Sequence, residues 1–193
     1  MKIIDARGET CPVPVILMKK ALKEAEGENI REIVDNEISR ENLEKMLEEL
    51  GLEYTSFEEN GDFVVQVNRS ASDAGSPPRD FISNTVLVIP SDSMGRGSED
   101  LGRILAKNYL YALTESDDLP AKIILYNTGV RLASENGETA ADLKKLEEKG
   151  VDVLVCGTCL DFFGLTGSLK AGIISNMYAI VEAEFSAERV ISI

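Results

Sequence analysis

Residues 2–14 read Lys2-Ile-Ile-Asp-Ala-Arg-Gly-Glu-Thr-Cys-Pro-Val-Pro14, a short strand-like start, a glycine turn and a proline-framed cysteine directly ahead of a helical run. Proline is favoured at the first helical position, where its missing N–H would be unpaired anyway. The spacing therefore predicts a helix over residues 12–25 that opens at Pro12 and holds Cys11 at its N-terminus. Pro14 removes another donor from the first turn, which leaves the N–H groups of Val13 and Val15 near the sulfur. The helix dipole favours a thiolate there; Arg7 supports it, and Asp5 and Glu9 oppose it. Cys11 is the candidate nucleophile, with Arg7, Pro12 and Pro14 as candidate substrate-binding residues around it. The plain alternative is a small capping or core cysteine.

Working outward, Val15, Met18, Leu22 and Ala25 form the expected apolar face of that helix, and strands are expected over 2–6 and 30–35. Ser39 is the expected cap of a second helix, whose Leu43, Met46, Leu47 and Leu50 recur at helical spacing until Gly51 stops it. Asn60-Gly61 joins strands over 53–58 and 62–68 as a hairpin. The order is βαβαββ, a small sheet backed by two helices. Residues 69–78, Arg-Ser-Ala-Ser-Asp-Ala-Gly-Ser-Pro-Pro, read as a linker whose roughly ten residues span about 16 to 20 Å as a flexible coil. The expected division is a first domain over 1–69, a linker over 70–84 and a second domain over 85–193.

Beyond the linker, apolar runs over 85–90, 122–127 and 151–155 have the character of buried parallel strands. They alternate with helical segments over 99–114, 139–149 and 172–185, and a last strand is expected over 189–193. That alternation predicts a doubly wound parallel α/β domain. Cys156 and Cys159 follow a strand, at the carboxyl end of the sheet where open α/β folds place their sites. Such a pair can close a disulfide, can let one thiol resolve a persulfide on the other, or can simply pack. The turn Ser91-Asp-Ser-Met-Gly95-Arg-Gly97 opens a helix capped by Ser98, and its backbone N–H groups, with Gly95 and Gly97 as candidate substrate-binding positions, are placed to meet an anion. It lacks the Gly-Lys-Ser/Thr of a P-loop. Phe162 and Phe163 beside the cysteine pair are candidates for a pocket or docking surface, and the run 172–181, apolar on most sides, suits a helix buried between subunits.

Composition narrows the chemistry. There are 34 acidic and 20 basic residues, a formal charge of −14, so binding to nucleic acid or to an anionic membrane is disfavoured. The acid at Asp5 interrupts any signal-peptide core and no apolar run approaches a membrane span, which predicts a soluble, cytoplasmic protein. With no histidine in 193 residues, imidazole-activated nucleophiles and histidine-ligated metals are excluded, and one Cys-x-x-Cys pair is too few ligands for a structural zinc. Thiol displacement requires neither metal nor cofactor, and none is expected.

The stretch 5–14 together with Met18-Lys-Lys-Ala-Leu22 resembles the signature of the TusA (SirA-like) sulfur carriers over about the first 70 residues. That resemblance implies a persulfide carried on Cys11. Met94-Gly-Arg-Gly-Ser-Glu-Asp-Leu-Gly102, Tyr126-Asn-Thr-Gly129, and the segment from Cys156-Gly-Thr-Cys159 to Ile174-Ser-Asn-Met177 resemble the DsrE-like fold, which implies small homo-oligomeric rings. The pairing of the two is similar to the YedF proteins, a family associated with selenium metabolism. The expectation is a sulfurtransferase-like relay of sulfur or selenium between donor and acceptor proteins, with Cys11, Cys156 and Cys159 as the working thiols. The alternatives are a binding or regulatory module with an oligomerising second domain, and a dithiol redox protein using the Cys-x-x-Cys pair.

Overall fold

A computed structural model describes residues 1–24, 27–68, 81–134 and 137–193. The chain divides into two compact units, Met1–Pro77 and Pro78–Ile193. The expected linker over 69–78 lies outside the described residues.

The first unit has the order β1 (Lys2–Asp5), α1 (Val13–Glu24), β2 (Ile30–Val34), α2 (Glu37–Glu49), β3 (Tyr54–Glu59), β4 (Asp62–Val67). Its sheet runs β1-β2-β4-β3, with β1 and β2 parallel and the other pairs antiparallel. Asn60 and Gly61 both take positive φ, 57° and 90°, as the tight hairpin between β3 and β4 requires. Ile30 and Val34 of β2 and Val65 and Val67 of β4 meet Met18 and Ala21 of α1 and Leu43 and Leu47 of α2 in one core. Full burial of each large side chain stabilises the unit by about 1.5–3 kcal/mol.

Three local expectations are corrected here. Helix α1 opens at Val13, not Pro12: Pro12 stands outside it, its carbonyl accepts from the N–H of Ile16, and the Cys11–Pro12 peptide is cis. Its buried residues are Pro14, Ile16, Met18 and Ala21, with Val15 and Leu22 only partly buried; Ala25 lies outside the described residues. Helix α2 is capped by Asn36, whose side chain accepts from the N–H of Ser39, so the expected cap Ser39 is instead a buried residue of the first turn.

The second unit runs β5 (Phe81–Ile89), α3 (Glu99–Thr114), β6 (Asp118–Leu125), a 3-10 turn (Asn127–Ala133), α4 (Gly137–Glu148), β7 (Asp152–Cys156), α5 (Gly157–Phe162), a second 3-10 turn (Thr166–Ser168), β8 (Ile173–Ser175), α6 (Met177–Ser186) and β9 (Arg189–Ser192). All five strands are parallel, in the order β8-β7-β6-β5-β9. Steps from β5 to β8 go one way and the return to β9 goes the other. Right-handed crossovers then put α3 and α4 on one face and α6 on the opposite face, the doubly wound arrangement expected.

Helix α3 and its Ser98 cap, which accepts from the N–H of Leu101, match expectation. Strand β5 begins at Phe81 rather than at residue 85. The apolar run 172–185 is not one helix: Gly172 turns at φ 82°, β8 pairs with β7, and Asn176 caps α6 by accepting from the N–H of Ala179. A short apolar run fits a strand as well as a helix, and the open edge of β7 supplied backbone partners that decided for the strand.

Candidate functional site

Cys11 lies at the carboxyl end of β1, in the turn that leads into α1, and its side chain is exposed and outside any disulfide. The loop ahead of it is held at both ends. Gly8, at φ 79°, donates its N–H to Asp35 at 2.8 Å just beyond β2, and Arg7 donates to Asp5 at 2.6 Å and to Asp62 at 3.3 Å. The hydrogen bonds from Arg7 hold the Asp5 carboxyl down at about 2. The guanidinium is thus paired with two carboxylates, whose charge offsets the support that Arg7 lends a thiolate. The N–H of Val13 donates to the carbonyl of Thr10 at 3.0 Å. Pro12 and Pro14 flank the α1 start, Pro14 buried and Pro12 half-buried. The outcome is a thiol presented to solvent by a fixed loop.

In the second unit the carboxyl ends of β5, β6 and β7 meet. Cys156 is the last residue of β7 and stands at the N-cap position of α5 without a side-chain capping bond, while Cys159 stands one turn along α5. Cys156 is 2% exposed and packs in the core of the unit; Cys159 is half-buried at its edge. The two thiols are close enough to interact. Burial raises the Cys159 pKa and its contact with Cys156 adds to that, against a hydrogen bond donated by the backbone N–H of Asn127 to Cys159 Sγ at 3.1 Å.

Asn127 adopts φ 49°, the left-handed region that costs a non-glycine residue energy, and this conformation aims its N–H at the sulfur. The turn is pinned beneath by Gly129, where a Cβ would collide with the carbonyl oxygen of Ile89. Thr128 links it to the β5 loop: its Oγ1 accepts from the N–H of Asp92 at 3.3 Å and lies 3.4 Å from Ser91 Oγ. Asn127 and Thr128 are additional site residues, beyond those expected from the sequence. Their signal was an Asn-Thr-Gly turn at a strand end, where asparagine tolerates the left-handed conformation.

The expected anion cradle at Ser91 to Gly97 has other uses for its donors. The N–H groups of Asp92, Ser93 and Met94 go to Thr128, to Ser91 Oγ and to the carbonyl of Gly102. Gly95 and Gly97 take φ 81° and 136° and lie exposed at the tip, where they let the turn reverse. Of the two aromatics, Phe163 packs on the core beneath the Arg131 guanidinium, 4.9 Å from its ring, whereas Phe162 is 83% exposed. Among the described residues no group of three or more Cys, Asp or Glu is arranged to hold a metal ion.

Comparison with known proteins agrees with this division. Residues 2–69 match the family described as Sulfurtransferase TusA, and residues 92–193 match the DsrE/DsrF-like family. Proteins of Thermotoga maritima and Methanocaldococcus jannaschii, both named "Putative sulfur carrier protein", are similar to the first unit. The former is 38% identical over 61 residues, which is 31% of this chain and 77% of the relative. The latter is 42% identical over 52 residues, 26% of this chain and 69% of the relative. Among solved structures, a SirA-like protein from Desulfitobacterium hafniense is 43% identical and covers 35% of this chain and 95% of its own, with a TM-score of 0.33. The ychN protein from E. coli is 19% identical and covers 56% and 98%, with a TM-score of 0.43.

Proposed function

The chain belongs to the TusA (SirA-like) family through its first unit and to the DsrE/DsrF-like family through its second, and from that premise we propose that it relays sulfane sulfur. In this reading Cys11 takes sulfur from a donor protein as a persulfide and hands it to the thiol pair of the second unit, and selenium in the equivalent bound form is a second cargo of the same chemistry. The observation that carries it is the exposure of Cys11 on a loop fixed by Gly8–Asp35 and Arg7–Asp5, which lets a partner thiolate reach the sulfur in line without rearranging the fold. The site of action in this reading is the cytoplasm, whose reducing conditions keep all three cysteines as thiols.

The test is peptide mass after incubation with a persulfide donor, and separately with selenide. One added sulfur on the Cys11 peptide is the expected result. Loading that survives Cys11→Ser would move the carrier role elsewhere.

The second unit works as a homo-oligomer in this proposal. Ile173 and Ile174 on the edge strand β8 and Met177, Tyr178 and Phe185 on α6 are all more than half exposed. This patch adjoins a groove of about 730 Å³ lined by Lys122, Leu154 and Tyr178. Exposed large apolar side chains clustered on one element mark an interaction surface, and an edge strand such as β8 invites a second copy. Light scattering on the full chain and on Phe185→Glu tests this; a monomeric wild-type chain at tens of micromolar would reject it.

A further inference from the structure

We propose that Cys159 is the thiol that receives sulfane sulfur in the second unit and Cys156 the thiol that resolves it, so that this unit releases hydrosulfide and is left with a Cys156–Cys159 disulfide. The inference rests on the relay reading for its supply of sulfur, but its chemistry is contained in the second unit.

The burial of the two sulfurs assigns the roles. A thiolate must approach the outer sulfur of an incoming persulfide in line, and only Cys159 offers an open side; Cys156, 2% exposed, is walled in by the core. Yet Cys156 touches Cys159. Residues three apart on a helical turn have Cβ atoms about 5–6 Å apart, so the pair needs to close by only about 1–2 Å to reach disulfide geometry. The strained Asn127 turn adds direction. Its N–H holds Cys159 Sγ at 3.1 Å and draws electron density from it, which favours attack at that inner sulfur rather than at the terminal one.

The steps balance. The Cys159 thiolate attacks the outer sulfur of a donor persulfide; the new Sγ–S bond forms as the donor's S–S bond breaks, and the donor leaves as a thiolate. Cys156 then loses its proton and its sulfur attacks Cys159 Sγ. The Cys156–Cys159 bond forms, the bond to the terminal sulfur breaks, and that sulfur departs with the electron pair as hydrosulfide. The sulfane sulfur is reduced and the two thiols are oxidised. Return to the dithiol needs an external dithiol reductant, as other Cys-x-x-Cys disulfides do.

The experiment uses the full chain carrying Cys11→Ser, treated with glutathione persulfide and desalted. Sulfide is trapped with a bimane reagent, and the peptide bearing both cysteines is weighed without reduction. The expected result is stoichiometric sulfide and a peptide lighter by two hydrogens. With Cys156→Ser, or Cys156→Ala where serine is poorly tolerated in the core, sulfide release is lost and Cys159 keeps the added sulfur. With Cys159→Ser, neither sulfide nor a loaded Cys156 forms.

Equal sulfide release from the Cys156 variants, sulfur found on Cys156 when Cys159 is absent, or a Cys159 that never accepts sulfur from the probe would each overturn the assignment. A chain that loads Cys11 but never passes label onward, while direct loading still yields sulfide, would refute the relay and leave this inference standing.

Discussion

At the scale of single residues, the least expected feature is Glu32. It points from the middle of β2 into the core of the first unit, between Ile4 and Val65 on the neighbouring strands, fully buried and with both carboxyl oxygens lacking a hydrogen-bond partner. Desolvation raises its pKa from 4.5 to about 8. A raised folded-state value means that Glu32 costs least below the unfolded pKa, where it is neutral in both states. Stability is lost as pH rises toward and through 8, by roughly 5 kcal/mol at most. Glu32→Gln should therefore flatten the decline in denaturant stability between pH 6 and pH 9, on the order of the range spanned by that shift, and gain over the wild-type chain at the alkaline end. An unchanged pH profile in the variant would mean the carboxyl is not the cause. Alkylation should rank the thiols by access: Cys11 fastest, Cys159 slower and accelerating above neutral pH because its pKa is raised, Cys156 slowest. Peptide mapping after brief iodoacetamide treatment reads this order, and a Cys156 that reacts first would contradict the burial on which its resolving role depends.

At the scale of elements, the site stands on caps and turns rather than on long segments. Helix α2 rests on the Asn36 side chain, and Asn36→Ala should lower stability by about 1 kcal/mol, read as a shift in denaturant midpoint without a change in slope. The turn after β6 is tighter. A methyl at Gly129 would meet the Ile89 carbonyl, so Gly129→Ala must push β5 and the Asn127 turn apart, costing about 1–3 kcal/mol. That displacement also removes the N–H from Cys159 Sγ, so the variant should alter the rate of Cys159 alkylation in the folded state. A variant that loses stability while Cys159 reacts unchanged would show the turn to be structural only. These elements also show where reading a sequence meets its limit. The Asn60-Gly61 hairpin and the Ser98 cap of α3 were legible because their residue chemistry favours those conformations locally, whereas at α2 Asn36, three residues ahead of Ser39, took the cap. The split of 172–185 into β8 and α6 was not, because Ile173 and Ile174 satisfy helix and strand periodicity equally.

At the scale of the whole molecule, the proposed relay has both thiols on one continuous chain, which makes their encounter intramolecular. Sulfur loaded on Cys11 should then reach Cys159 at a rate independent of protein concentration. Labelled sulfur followed by peptide mass at several dilutions measures this. A rate that grows in proportion to concentration would make the transfer intermolecular. The formal charge of −14 supports the tethered route, since separate acidic fragments repel one another at low ionic strength.

The amino-acid sequence by itself determined the βαβαββ order of the first unit and the strand–helix alternation of the second up to β7, the candidacy of Cys11, Cys156 and Cys159, and the exclusion of imidazole chemistry, because composition, turn residues and short-range periodicity act over a few neighbouring positions. Only the tertiary structure decided how those thiols differ. Burial of Cys156 against exposure of Cys11, the engagement of Arg7 by Asp62 fifty-five positions away, and the N–H of Asn127 on Cys159 thirty-two positions away all arise from strands distant in sequence brought side by side. The desolvation of Glu32 has the same origin: a charged residue in a strand reads as solvent-facing until two helices close over that face of the sheet.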